Sequence, residues 1–108
     1  MTTSIDYMRR LAEAGIDDLL LLSRETAEHV LTQKRMELVE QISTNNIESM
    51  RDLARHVDRD ISIVKRDLDI LYEAGVIEYE TKGQSKRPIL SHKNIAVKPI
   101  VFNGDVVD

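Results

Sequence analysis

The chain has 108 residues, a net charge of −4 and no cysteine. This length suits one domain with its own core, and the lack of cysteine excludes disulfides, zinc–thiolate sites and a cysteine nucleophile. The apolar runs are too short to span a membrane and no secretory signal opens the chain, so we expect a cytoplasmic protein without membrane contact.

The charges are distributed unevenly along the chain. Residues 81–103 carry five lysines and arginines and no acidic residue, whereas residues 1–31 carry three cations and six carboxylates. The acidic total argues against indiscriminate binding to nucleic acid, but it leaves room for a specific site in the basic segment. The alternative is that this segment is an ordinary solvated hairpin. The few aromatic residues argue against stacking on unpaired bases.

The N-terminal segment predicts an amphipathic helix over 5–14, followed by a buried strand over 19–22. Periodicity alone does not distinguish that strand from the start of another helix. The segment "RETAEHV" is compatible with a helical turn that begins at Ser23 or Thr26. We assign residues 1–31 to an N-terminal extension that contacts a second copy of the chain or another protein.

Three helices follow this extension. Their apolar residues recur at helical spacing over 33–43, over "MRDLARHV" and over about 61–74. Each has a suitable N-cap residue before it, namely Thr32, Ser49 or Asp60. The middle helix is short, and a turn of only a few residues separates it from the third.

Strands are predicted for the remainder of the chain. The segment "VIEYETKGQSKRPILSH" predicts a β-hairpin, with a connection longer than the tightest two-residue turn. The run "NIAVKPIVF" predicts an edge strand that is interrupted by Pro99. Residues 103–108 have the composition of a tail.

This order of elements is that of a winged helix-turn-helix, an α+β fold with a three-helix core and a β-hairpin wing, here over residues 32–102. In that architecture the third helix enters the major groove and the wing contacts phosphates. The candidate base-contacting residues are Ser62, Ile63, Lys65, Arg66 and Asp69. The candidate phosphate contacts are Arg51, Arg55 and Arg59 and, on the wing 82–87, Lys82, Gln84, Ser85, Lys86 and Arg87.

The third helix also has a simpler interpretation as an ordinary solvated face. Asp69 is spaced to pair with Lys65 or Arg66, and such surface pairs contribute about 0.2–0.5 kcal/mol. The position of the helix before a basic hairpin favours DNA contact instead. The role of Asp67 stays open, because it could orient Arg66 or accept a hydrogen bond from a cytosine.

Three segments resemble a known family, the small predicted transcriptional regulators of archaea and bacteria with a MarR-like winged helix. They are "VLTQKRMELVEQI", "SMRDLARHVDRDISIVKRDLDILYEAGVIEYE" and "GQSKRPILSHKNIAVKPIVF", which together cover about residues 30–102. The resemblance implies binding to double-stranded DNA through the helix that carries Ser62, Lys65 and Arg66, with the loop from Lys82 to Arg87 as the wing. It further implies a homodimer, and a relation to antitoxins encoded beside toxins.

The sequence therefore predicts a sequence-specific, double-stranded DNA-binding transcriptional regulator that forms a homodimer. An antitoxin-like or other protein-interaction module, which binds its partner through residues 1–31, is the alternative, and a structural subunit of a transcription machinery is a third. No enzyme, metal or cofactor is predicted. The three histidines lack metal-ligand spacing, and no serine or carboxylate pattern points to catalysis.

Overall fold

The computed structural model describes residues 4–98, except for the side chains of Ser4 and Tyr7. Within these residues the chain is an α+β fold, as predicted, with five helices and two small sheets. Pro99 and the predicted tail lie outside the described residues. The elements are α1 (Ser4–Glu13), β1 (Leu19–Leu22), α2 (Arg24–Val30), α3 (Gln33–Thr44), α4 (Met50–Val57), α5 (Ile61–Glu73), β2 (Ile77–Lys82), β3 (Ser85–Leu90) and β4 (Asn94–Val97).

Side-chain caps fix where four of the helices begin. A hydroxyl or carboxylate oxygen accepts a hydrogen bond from a first-turn backbone N–H, which would otherwise lack a partner in the helix. The predicted caps of α3, α4 and α5 are confirmed, and of the two residues considered for the start of α2, Ser23 is the cap. No helix of the described residues is long and apolar enough to cross a membrane.

Helices α3, α4 and α5 meet around one aliphatic core. Leu38, Leu53 and Leu68 are completely buried, one from each of the three helices. The turn between α4 and α5 is short because Asp58 adopts a left-handed conformation, with φ 52° and ψ 52°, and its N–H closes the end of α4. Aspartate tolerates this conformation better than most residues. The turn therefore sets α5 against α4 within three residues.

The hairpin of β2 and β3 packs against the three helices, with β2 on α5 and β3 on α3 and α4. Val76 and Ile77 are buried against the helices, while the outer ends of both strands are exposed. The antiparallel pairing extends to Lys82 opposite Ser85, so the prediction of a longer loop is wrong. Gly83 has a φ of +64°, a value that glycine adopts without strain, and this permits the two-residue turn.

β1 and β4 form a second, parallel sheet, which joins the segment after α1 to the end of the described chain. Leu19 lies opposite Asn94 and Leu22 opposite Val97. The strand predicted over 19–22 is confirmed, and its last residue, Leu22, is 5% exposed within the same core as α3–α5. One edge of β4 is thus paired within its own chain. Residues 19–31, which the sequence assigned to an extension, contribute directly to the core.

Candidate nucleic-acid interface

Helix α5 has one buried and one exposed face. Val64, Leu68 and Leu71 are completely buried, and their spacing places the opposite face in solvent. That face carries the residues that the sequence selected as base contacts. Ser62, Lys65, Arg66 and Asp69 are all exposed, and Ile63 is 44% exposed.

The exposed face begins at a tightly bonded cap. Oδ1 of Asp60 accepts hydrogen bonds from the Ser62 hydroxyl at 2.6 Å and from the Ser62 backbone N–H at 2.8 Å. These bonds hold the pKa of Asp60 below its ordinary value of 3.8. The Ser62 hydroxyl is thus used as a donor within the protein, and any contact with a base would use its oxygen as an acceptor.

Asp67 is held inside the protein by two arginines. Its Oδ2 accepts a hydrogen bond from Nη2 of Arg59 at 2.6 Å, and its Oδ1 lies 3.3 Å from Nε of Arg35. All three side chains are about 15% exposed. Asp67 is therefore bonded away from the exposed face of α5. This arrangement serves neither of the two roles that the sequence left open for it, namely orienting Arg66 or contacting a cytosine.

Arg59 and Arg35 are part of the framework that supports α5. Arg35 also donates hydrogen bonds to the carbonyl oxygens of His29 and Val30, which ties the end of α2 to α3. The sequence placed Arg59 among the phosphate contacts, but in the structure its side chain is 15% exposed and bonded to Asp67. Arg35 was not selected from the sequence. It lies far from Asp67 along the chain, so no local pattern indicates that the two side chains pair.

Asp69 is bonded to the hairpin. Its Oδ1 accepts a hydrogen bond from the hydroxyl of Tyr79, on β2, at 3.0 Å. The Tyr79 ring is stacked on that of Tyr72 with centroids 5.1 Å apart, and Nζ of Lys86 lies 5.8 Å from the Tyr79 centroid. Burial and the bond to Asp69 raise the pKa of Tyr79 well above its usual range. Tyr79, which the sequence did not select, thus links a cation of the hairpin, Lys86, to α5.

Lys65 and Arg66 have no such partners. Within residues 4–98, neither cation forms an ion pair or a side-chain hydrogen bond, although Asp67 and Asp69 are close to both along the chain. Each neighbouring carboxylate is bonded elsewhere. The two cations are therefore exposed and available to an anionic ligand.

The cations of the hairpin fall into two groups. Lys82 and Lys86 are exposed, as are Gln84 and Ser85 between them. Arg87 is only partly exposed, and its Nη2 donates a hydrogen bond to Oδ1 of Asn46, in the loop between α3 and α4. The structure thus brings Lys82 and Lys86 to the surface, whereas Arg87 fastens β3 to the helices.

Two further cations lie on α4, beside α5. Arg51 is exposed, and the Arg55 side chain is 74% exposed with its Nη2 3.7 Å from Asp52. The Asp52 side chain is 20% exposed, but the guanidinium of Arg55 lies in solvent, and an ion pair at this distance with one solvated partner is weak. Arg51 and Arg55 are therefore suited to phosphate contacts. No group of histidine and carboxylate side chains in the described part of the chain could hold a metal ion.

A family model described as HVO_A0114 matches residues 30–97, which is well over half of the chain. The matched segment runs from the last residue of α2 to the last residue of β4, so it includes α3, α4, α5 and the hairpin. It leaves out β1, the strand with which β4 pairs. No curated protein matches the chain.

Proposed function

The chain belongs to the HVO_A0114 family, and we propose that it is a sequence-specific regulator that binds double-stranded DNA through a winged helix-turn-helix. In this proposal α3, α4 and α5 are the three-helix core and the hairpin of β2 and β3 is the wing, as the resemblance to MarR-like regulators implies. Such a protein acts in the cytoplasm, on the chromosome of an archaeal or bacterial cell.

The observation that carries the proposal is the availability of Lys65 and Arg66. Both lie in the first half of α5, the part of a recognition helix that enters the major groove first. A guanidinium in that position donates two hydrogen bonds to the O6 and N7 atoms of guanine. In the structure Asp69 is bonded to Tyr79 and pairs with neither cation, so both remain available to DNA.

We assign the phosphate contacts to the exposed cations on both sides of α5. They are Arg51 and Arg55 on α4, and Lys82 and Lys86 on the wing, with Gln84 and Ser85 as neutral donors at its tip. Arg59 and Arg87 are left out because each is bonded within the protein. Four cations in each of two protomers predict a log–log salt slope of about −7, at roughly 0.9 per phosphate.

A homodimer would place two copies of α5 in successive major grooves, about 34 Å apart. The apolar side of α1 supports a contact between copies, because Ile5 is 69% exposed and Met8 is 41% exposed. The two side chains are three residues apart on the helix and so lie on the same face, where a second copy could cover them. The DNA site is then expected to be a palindrome or a near palindrome.

Selection from a random pool of duplexes, followed by fluorescence anisotropy on the recovered sequence, tests the proposal. We expect a two-fold symmetric site that is bound at least about a thousandfold more tightly than random duplex. Random duplex bound as tightly as any selected sequence would overturn the proposal. Measuring the affinity for both duplexes over a range of salt concentrations separates the contribution of phosphate contacts from that of base contacts.

Binding of a protein partner through residues 1–31, as in an antitoxin, is the second candidate. The exposure of Ile5 and Met8 favours it, since those side chains fit another protein as well as a second copy. Its test is co-purification with the product of a neighbouring gene, using the full chain and a chain without residues 1–16. That truncation keeps β1, which the core requires. Equal recovery with both chains would argue against this role for α1.

A further inference from the structure

Asp69 lies where a helical carboxylate normally pairs with a preceding cation. It follows Lys65 by four residues and Arg66 by three, and side chains at both spacings lie next to each other on a helix surface. Its Oδ1 instead accepts the hydrogen bond from Tyr79, and no ion pair joins it to either cation within the described residues 4–98. The hairpin therefore determines where this carboxylate points.

The position of the Tyr79 hydroxyl is itself fixed by the two groups against its ring. The ring stacks on Tyr72 with an interplanar angle of 27°, and the ammonium group of Lys86 lies above it. Such contacts between rings, and between a cation and a ring, hold the side chain in one orientation. A tyrosine hydroxyl is protonated at neutral pH, since its ordinary pKa is 10.0, and burial and the bond to Asp69 raise the pKa of Tyr79 further, so the hydroxyl remains a donor.

We propose that Tyr79 is a positioning residue for the DNA contact: its hydroxyl holds the Asp69 carboxylate towards the hairpin, and this leaves Lys65 and Arg66 free for DNA. The inference rests on the proposed function and adds a role for a residue that touches no base. The sequence placed Asp69 among the base contacts. In this inference Asp69 contacts no base, and its carboxylate must instead be kept away from Lys65 and Arg66.

Removal of the hydroxyl would release the carboxylate. Without the bond to Tyr79, Asp69 would pair with Lys65 or Arg66. The paired cation would then have to leave Asp69 before it could contact DNA. Exposed pairs of this kind are weak, so we expect Tyr79→Phe to weaken binding to the preferred duplex by about two- to fivefold. The phenylalanine ring keeps the stacking on Tyr72, so the fold is preserved.

A double-mutant cycle separates this role from a structural one. The four proteins are the wild type, Tyr79→Phe, Asp69→Asn and the double variant, each titrated by anisotropy against the selected duplex. Asparagine still accepts a hydrogen bond but cannot neutralise a cation, so Tyr79→Phe should have no effect when residue 69 is asparagine. Tyr72→Phe is the matched control, because within residues 4–98 the Tyr72 hydroxyl makes no hydrogen bond. It should bind like the wild type.

The outcomes distinguish this inference from the proposed function. Equal weakening by Tyr79→Phe with aspartate or with asparagine at position 69 would mean that Tyr79 acts through packing, and would overturn the inference alone. Unchanged binding by Tyr79→Phe in the wild-type background would do the same. A wild type without preference for any duplex would overturn the proposed function, and the inference with it. Loss of the Tyr79→Phe effect in the Asp69→Asn background supports the inference.

Discussion

Oδ2 of Asp67 accepts a hydrogen bond from Nη2 of Arg59 at 2.6 Å, and both side chains are only 15% exposed. Asp67 is on α5 and Arg59 is in the turn that precedes it. Because Arg35 of α3 approaches the other carboxylate oxygen at 3.3 Å, one aspartate connects three parts of the structure. The three charged groups thus fix how α5 sits on the rest of the fold.

Asp67→Ala is expected to lower the free energy of unfolding by about 2–4 kcal/mol, because it leaves two little-exposed guanidinium groups without their carboxylate. Urea denaturation followed by circular dichroism measures the change. Asp17→Asn is the matched control, since its pair with Lys93 spans 4.0 Å and both side chains are more than 70% exposed. The control should change stability by less than about 0.5 kcal/mol, and an equally small effect of Asp67→Ala would contradict the role assigned to Asp67.

The cap of α5 predicts a dependence of stability on pH. The hydrogen bonds from Ser62 hold the pKa of Asp60 below 3.8 in the folded chain. The stabilisation from the ionised carboxylate is therefore present above that pH and is lost as the pH falls through the lower, folded value. Asparagine is also a good N-cap but does not titrate.

The melting temperature of the wild type should consequently fall more steeply below about pH 4 than that of Asp60→Asn. Ser62→Ala removes the largest cause of the pKa shift, so its pH profile should lie between the other two. The measurement is the melting temperature of all three proteins at pH values from about 2.5 to 6, in steps of about half a pH unit. Parallel profiles for the wild type and Asp60→Asn would show that Asp60 does not contribute in this way.

The helices could be predicted from the sequence because their signals are local. Thr32, Ser49 and Asp60 each precede an apolar stripe, and each caps the helix that was predicted. The pairing of β1 with β4 has no local signal, since the bond from the Lys93 N–H to Asp18 joins residues 75 apart. A short apolar run identified the strand at Leu19–Leu22 but could not identify its partner.

Of the candidate site, too, only the features with a local signal could be predicted from the sequence. Spacing along α5 places Lys65 and Arg66 on the exposed face, and the structure agrees. Whether a charged side chain is free depends on residues far along the chain, as Arg87 shows by bonding to Asn46 of the α3–α4 loop. Charge and spacing cannot reveal such partners. Tyr79 was not selected from the sequence for the same reason: its hydroxyl, on β2, bonds to Asp69 on α5.

Arg66→Ala tests base recognition under the proposed function. We expect a loss of about 1–3 kcal/mol on the preferred duplex and a weaker preference at one base pair in each half-site, because two hydrogen bonds to a guanine edge disappear. Binding to a series of duplexes with single substitutions measures both effects. A uniform loss across all sequences would show that Arg66 contacts phosphate rather than a base.

Lys86→Ala should act differently from Arg66→Ala. Removing a phosphate contact weakens all duplexes alike and reduces the log–log salt slope by roughly 0.9 per lysine. Lys34→Ala, on α3, removes the same charge from a side chain that is 66% exposed and outside the proposed interface. Titrations of both variants at several salt concentrations should therefore separate them. Equal salt slopes for the two would remove the wing from the proposed contacts.

Two truncations test where the folded unit begins. Removing residues 1–16 takes away α1 but keeps β1 and the Asp17 and Asp18 contacts with the start of β4. This chain should unfold at nearly the same temperature as the full chain. Removing residues 1–22 also deletes β1 and takes Leu22, which is 5% exposed, out of the core. The lost burial of that one side chain costs about 1.5–3 kcal/mol, and the loss of the strand pairing adds to it.

Thermal unfolding, together with sedimentation equilibrium, distinguishes the contributions of α1 and β1. If α1 joins two copies, the chain without residues 1–16 should be a folded monomer, because the exposed side chains of Ile5 and Met8 are removed while the core is intact. The longer truncation should be strongly destabilised whatever its oligomeric state. Equal stability of the two truncated chains would mean that the parallel pairing of β1 with β4 contributes little, and that the folded unit begins after Leu22.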